Sequence, residues 1–320
     1  MNLSYPPVIG IDWGNSSRRA YLLDRQGQLM GQHIDDKGSL HHANEFEDAL
    51  VELLEMWALR QADVVMSGMV GSREGWLETP YLRAGQGLDK LSEGLCEVRC
   101  KRRELAQIRC RIVPGLCYTD SDGLPDVMRG EETQVYGALL QGASDGWLVL
   151  PGKHSKWVRL HEGAVCELES YMTGELYDLL GHQGSLASLT ILRQHDCARF
   201  EAGLERARTC AAALTHEIFT CRALVVTDHM PAIHAASYLS GLLIGAELQD
   251  MRKRLTNPSA PVHIIASMHL AQRYAQALEY FDIPFKLWDP DQVYLTALRA
   301  LTNLEPSIAN DNYRELVAVA

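Results

Sequence analysis

VIGIDWGNSSRRAYLLD, residues 8–24, and WLVLPGKHSKWVRL, residues 147–160, decide how this chain is read. Each is an apolar strand, a short turn carrying glycine and hydroxyl residues, and a second strand that continues straight from the turn. The copies stand near the start of the two halves of the chain, so the pattern reads as one architecture used twice. Two such turns facing across a cleft can hold the two ends of a polyphosphate, which points to phosphoryl transfer.

Working outward from the first copy, residues 7–12, 18–24 and 28–34 read as an antiparallel meander, its second turn being Asp24-Arg25-Gln26-Gly27-Gln28. Phe46, Leu50, Leu53, Leu54 and Trp57 lie at helical spacing within 44–60, and 63–66 is a short buried strand. Residues 67–125 are rich in glycine and read as loops, with one strand at 108–113; loops of that length are usually functional. A helix over 131–140 closes the first half, and Gly142-Ala143-Ser144-Asp145-Gly146 has the composition of a junction. The domains are therefore expected at 1–144 and 145–320. In the second half, strands at 148–150, 157–160 and 165–168 repeat the meander. Helices follow near 174–181, 199–213 and 232–254, then a strand at 262–266, a helix striped by Leu270, Tyr274, Ala277, Leu278 and Phe281, and a last strand and helix from Pro284.

A chain of 320 residues with 47% hydrophobic and 22% charged residues has the balance of a folded globular protein long enough for two domains. Its net charge of −11 disfavours nucleic acid or an anionic membrane surface as partner, so any anionic substrate must be met by local arginine and lysine. No apolar run approaches the roughly 18 residues of a membrane helix, and MNLSYPPVIG lacks the basic and apolar regions of a signal peptide. A cytoplasmic protein is expected, with its eight cysteines as free thiols. Cys96, Cys100, Cys110 and Cys117 lack the spacing of a zinc ribbon and read as small buried hydrophobes. His41-His42 reads as a solvated loop pair. Homo-oligomerisation is left open.

Gly14 with Asn15, Ser16 and Ser17 lets backbone N–H groups and hydroxyls converge on a phosphate, and Asp12 at the strand end can hold a hydrated magnesium ion. A single turn of this kind would be an ordinary hairpin; the second copy, Gly152, Lys153, His154 and Ser155, gives it weight. Two commoner nucleotide motifs are excluded. A dinucleotide fingerprint runs into a helix, whereas residues 18–24 continue as a strand. Gly152-Lys153-His154 lacks the Ser or Thr and the leading Gly of a P-loop.

Asp126-Val127-Met128-Arg129-Gly130-Glu131-Glu132-Thr133-Gln134 gathers carboxylates, an arginine and an amide about a helix start. A hydroxyl attacking phosphorus needs a carboxylate to take its proton, and an arginine can orient an anion. Glu131 is the chosen base, with Asp126 and Glu132 in reserve and Arg129 beside it. Acidic residues in a first helical turn also complement the helix dipole, and spacing alone does not separate the two readings. Ser72, Arg73 and Trp76 lie in a loop after a buried strand, where α/β proteins place ligands, and Arg73 can pair with a substrate carboxylate. With Glu132 and Gln134 they are the candidate substrate contacts; an incidental surface loop is the plainer alternative.

Taken in order, IDWGNSS, SGMVGSREGW, PY at 80–81, VPG, DVMRGEETQ, LPGKHSKW, MTGEL and YLSGLLIGAE resemble the 2-dehydro-3-deoxygalactonokinases of the sugar kinase, Hsp70 and actin superfamily. The resemblance runs from about residue 8 to 250, with a weaker segment at 262–281. It implies a two-domain actin-like ATPase (ribonuclease H-like) α/β fold, each domain a mixed sheet flanked by helices with a cleft between, the first binding sugar and the second nucleotide. It also implies transfer of the γ-phosphate of ATP, with Mg2+, to the 6-hydroxyl of 2-dehydro-3-deoxy-D-galactonate in galactonate breakdown. Asp12 to Ser17 then look like the first phosphate loop, Gly152 to Ser155 like the second, and Gly130-Glu131 like the superfamily's carboxylate before the interdomain helix. Two departures stand out: Lys153 where the family usually has Thr, and Ala266-Ser267 where a glycine is usual. Lys153 keeps alive a non-catalytic sugar-acid and nucleotide-binding homologue; a chaperone-type ATP hydrolase is the third reading.

Overall fold

The structure, a computed structural model, describes residues 6–41, 45–189, 194–210, 212–257 and 259–304. The first five residues, His42, and residues 44 and 211 of two expected helices lie outside these. The chain divides into two units, one formed by Met1–Thr119, Val127–Ala143 and Asp291–Ala320, the other by Asp120–Asp126 and Ser144–Pro290.

In the first unit the opening motif folds as β1 (Val8–Trp13) and β2 (Arg18–Leu23), followed by β3 (Leu29–Asp35), α1 (Phe46–Met56) and β4 (Ala62–Gly68). Then come β5 (Tyr81–Arg83), the single turn α2 (Lys90–Glu93), β6 (Cys96–Val98), β7 (Ile108–Ile112), β8 (Gly115–Thr119), β9 (Pro125–Met128), which belongs to this unit only from Val127 on, and α3 (Glu131–Leu140). The main sheet runs β3-β2-β1-β4-β7-β6, antiparallel through the meander and parallel from β1 to β4 to β7. The apolar stripe of α1 explains its seat: Phe46, Leu50, Leu53 and Leu54 are buried with Ile9, Ile11 and Trp13 of β1 and Val64 and Met66 of β4. Trp13 meets Phe46 edge-on at 5.2 Å.

The second unit repeats the plan. Its elements are β10 (Gly146–Leu150), β11 (Ser155–His161), β12 (Ala164–Tyr171), α4 (Thr173–His182), α5 (Cys197–Thr209), α6 (Leu214–Val226), α7 (Ala235–Met251), β13 (Val262–Ile265), α8 (Met268–Tyr280) and β14 (Phe285–Trp288). The sheet order is β12-β11-β10-β13-β14, again antiparallel in the meander and parallel from β10 to β13 to β14. Two mixed sheets of one topology, flanked by helices, are the expected α/β fold. Buried Trp147, Val149 and Trp157 of this sheet share a core with Ile264, Tyr274 and Leu278.

Three features differ from the sequence reading. Residues 67–125 hold more than loops: β5, β8 and β9 form a second, three-stranded sheet, and β6 edges the first. These strands are three to five residues long and mostly exposed or half-exposed, too short for alternation to register. Helix α6 was unforeseen because its apolar residues surround it; Phe219 and Val226 are exposed while Cys221 is buried. The last helix, α9 (Pro290–Leu301), belongs to the first unit from Asp291 on, although the chain reaches it from the second.

All eight cysteines are free, and no group of metal-ligating residues occurs among the described residues. No described helix is long and apolar enough to cross a membrane.

Candidate functional site

In the first unit the site is built where β1 and β4 end and α3 begins. The hairpin register sets Asp12 opposite Arg19, and the parallel register sets it beside Ser67. Gly68 has φ +90°, and a side chain there would lie 2.5 Å from the Trp13 carbonyl oxygen. Gly130 has φ +113°, and a Cβ there would stand 3.1 Å from Gly68 Cα and 4.0 Å from Asp12 Oδ1. Only glycine adopts these dihedrals without strain and permits such an approach. The residue that precedes Glu131 is thus seated against the strand end that carries Asp12.

Asp12 is fixed by an ion pair of 2.6 Å to Arg19, whose other terminal nitrogen lies 3.5 Å from Asp291 of α9. Burial opposes the Arg19 charge, but Asp12, Tyr21 and Asp291 outweigh it and hold its pKa above the ordinary value. Neighbouring Arg18 points to the other face of β2, buried, bonded to Asp35 at 2.6 Å and the Ala49 carbonyl at 3.0 Å. In the turn, Gly14 N–H donates to Ser17 O at 2.9 Å, while Ser39 and Leu40 N–H groups take the carbonyls of Gly14 and Asn15. Ser16 and Ser17 are left exposed.

Around α3, Glu131 Oε2 accepts the Arg129 N–H at 3.1 Å. The Arg129 guanidinium lies 4.3 Å over the Tyr81 ring and donates to both the hydroxyl and, at 2.9 Å, the carbonyl of Thr79. It ties residues 79–81 to the start of α3. Glu132 is fully buried and accepts the Gly130 N–H at 2.7 and 2.9 Å, so in this conformation it holds the turn instead of facing solvent. Gln134 is half-buried on the same helix. Asp126 sits in the second unit, where Ser170 donates to it at 2.6 Å.

Burial, helped by the Glu131 charge, raises Glu132 from 4.5 to about 8. A carboxyl with a raised folded pKa binds its proton more tightly when folded. Its stabilisation is complete below the unfolded carboxylate range and is lost as pH climbs through about 8. Unfolding free energy should therefore fall from about pH 5 to about pH 9 more steeply in the wild type than in Glu132→Gln, as read by denaturant titration.

The loop after β4 divides its residues. Trp76 stacks on Phe46 with ring centres 6.2 Å apart and is partly buried, so it anchors the loop to the core. Ser72 is half-buried. Arg73 is 82% exposed and only loosely paired with Glu78 at 3.9 Å, which leaves its guanidinium accessible.

In the second unit the turn between β10 and β11 leaves Lys153 and His154 exposed and Gly152 half-exposed. Helix α4 braces it: Glu175 N–H donates to the Lys153 carbonyl at 2.9 Å, the Glu175 carboxylate pairs with His154, and a Cβ at Gly174 would lie 2.2 Å from Gly152 O. Ser155, expected to face a phosphate, is fully buried and bonded to the Tyr274 hydroxyl at 2.7 Å. Beside the turn is a pocket of ≈ 80 Å³ walled by Pro151, Gly152, Thr173, Gly174, Leu243 and Tyr274, with His269 and Arg273 also lining it.

The model of the 2-keto-3-deoxy-galactonokinase family matches residues 12–301. The chain belongs to that family. It is a family of carbohydrate kinases. The 2-dehydro-3-deoxygalactonokinase of Escherichia coli (strain K12) is 31% identical over 295 residues, covering 92% of this chain and 97% of that protein. A solved structure from Sinorhizobium meliloti, provisionally given the same enzyme name, matches with TM-score 0.84 at 28% identity, over 97% of this chain and 99% of that one. The activator of 2-hydroxyisocaproyl-CoA dehydratase from Clostridium difficile, at TM-score 0.51 and 8% identity over 95% of this chain and all of that one, shares the fold alone.

Within this member of the 2-keto-3-deoxy-galactonokinase family, IDWGNSS and LPGKHSKW fall at the two turns, DVMRGEETQ at the start of α3 and SGMVGSREGW in the loop after β4, while MTGEL opens α4 and YLSGLLIGAE lies within α7. Sequence reasoning passed over Arg19 and Thr79, and met Thr173 and Glu247 only inside MTGEL and YLSGLLIGAE and Tyr274 only in an apolar stripe, without a role for any of them. Arg19 carried a usable signal: a hairpin turning at residues 14–17 pairs 12 with 19. The roles of the others rest on partners from distant segments, which local sequence does not show.

Proposed function

We propose that this chain phosphorylates the 6-hydroxyl of 2-dehydro-3-deoxy-D-galactonate with ATP, as a cytoplasmic enzyme of galactonate breakdown. The observation that carries the reading is the glycine-on-glycine contact that seats the carboxylate-bearing start of α3 beside Asp12. In the reaction the sugar O6 forms a bond to the γ-phosphorus, the bond from that phosphorus to the ADP oxygen breaks, and Glu131 takes the hydroxyl proton. Ser16, Ser17 and the backbone of the first turn, with Gly152, Lys153 and His154 of the second, would hold phosphate oxygens; the pocket beside the second turn would take the nucleoside. Magnesium uses one or two carboxylates and completes its shell with phosphate and water, a demand that the single carboxylate of Asp12, fixed through Oδ2, fits. When bound there the ion would neutralise phosphate charge.

Arg73 would pair with the substrate carboxylate. Arg73→Ala should raise the KM for the sugar acid about tenfold and leave the melting temperature unchanged, because a charge-assisted hydrogen bond is lost from an exposed side chain. A steady-state titration of the sugar acid at saturating ATP checks this.

The reading as a whole is tested by ADP release from Mg-ATP with and without a panel of 2-keto-3-deoxy sugar acids. Release dependent on the galactonate-derived acid supports it. Release independent of sugar would favour a hydrolase, and binding of both ligands without release a non-catalytic homologue, the reading that Lys153 in the second turn keeps open.

A further inference from the structure

Glu247 of α7 takes no part in the reaction above, yet it is only 2% exposed and lies at the centre of a closed hydrogen-bond network. Trp157 of β11 donates to Oε1 at 2.7 Å, Tyr274 of α8 lies 3.1 and 2.9 Å from the two oxygens, and Thr173 at the start of α4 donates to Oε2. The Tyr274 hydroxyl also meets Ser155 Oγ at 2.7 Å, at the end of the phosphate turn. Burial pushes the Glu247 pKa up, and the donors from Thr173, Trp157 and Tyr274 pull against it. A carboxyl this enclosed is costly, and core packing alone would be served by an apolar side chain. What the network joins is specific: two of its donors, Thr173 and Tyr274, are walls of the pocket beside the turn, and a third member, Ser155, ends the turn itself.

We propose that Glu247 is a positioning residue for nucleotide binding, acting through Tyr274 and Thr173 to fix the pocket wall and through Tyr274 to fix the Ser155 end of the turn. Helices α4, α7 and α8 are thereby locked to one another around the turn. The inference rests on the reading of this pocket and turn as the nucleotide site. A hydroxyl that anchors a turn from its buried side presets the backbone for phosphate and removes ordering cost at binding.

The test compares wild type, Tyr274→Phe and Glu247→Gln by calorimetry with Mg2+ and a non-hydrolysable ATP analogue, alongside the KM for the sugar acid and the melting temperature. Tyr274→Phe keeps the ring and removes one oxygen. It should weaken the analogue about tenfold while sparing the sugar-acid KM, and Glu247→Gln should act in the same direction. Wild-type affinity in Tyr274→Phe, or equal losses for analogue and sugar acid, would overturn the inference. If Glu247→Gln does not fold, Tyr274→Phe decides alone. A wild type that fails to bind the analogue would overturn the nucleotide reading and this inference with it; a wild type that binds it beside an unaffected Tyr274→Phe overturns the inference only.

Discussion

Glu131→Gln lowers turnover by about 10²-fold or more, with the fold intact and the KM values little changed. The amide has the size of the carboxylate and keeps a carbonyl oxygen for the Arg129 N–H, so the start of α3 stays where it is. Only the capacity to accept the proton of the attacking hydroxyl is lost, and that appears in kcat. The comparison with Glu132→Gln sharpens the assignment. The Glu132 carboxyl is enclosed against Gly130, so its loss disturbs the turn first and proton transfer only through it. Near-normal turnover in Glu131→Gln with a collapse in Glu132→Gln would move the base by one residue.

Gly137→Ala destabilises the first unit by about 3 kcal/mol. A Cβ at 137 would lie 1.7 Å from the Val293 carbonyl oxygen and 2.6 Å from its carbon. Both atoms are backbone, so no rotamer change relieves the clash and α9 must move off α3. The gain in helix propensity from alanine, roughly 0.5–1 kcal/mol, is too small to compensate. The consequences reach the site because α9 carries Tyr294, which takes a hydrogen bond from Ser67 at 3.4 Å, and Asp291, which accepts from Tyr21 at 2.8 Å and faces Arg19. A melting temperature lower by about 5–10 °C should accompany reduced activity; an unchanged or raised midpoint would contradict the packing account.

The parts of this fold legible in sequence are those whose pattern is local. The two meanders are short apolar runs bounded by turns, and α1 and α8 carry one-sided stripes, so the meanders and the repeated plan could be reached from residues alone. Ser155 shows what an unused periodicity costs. It lies two residues before Trp157 on β11, and alternation places both on the core face, so its burial was foreseeable. Adjacent Arg18 and Arg19 likewise part to opposite faces, one to a buried ion pair and one to Asp12. The return of α9 to the first unit and the Glu247 network depend on contacts between segments far apart in the chain. No local pattern announces these.

Incubating the purified protein with Mg-ATP and 2-dehydro-3-deoxy-D-galactonate, and determining product mass and the position of the new phosphate by phosphorus-coupled NMR, tests the central claim most directly. A product heavier by one phosphoryl group, esterified at O6 and formed in equal amount with ADP, is predicted. ADP without a phosphorylated sugar acid, or phosphate at another hydroxyl, would contradict it.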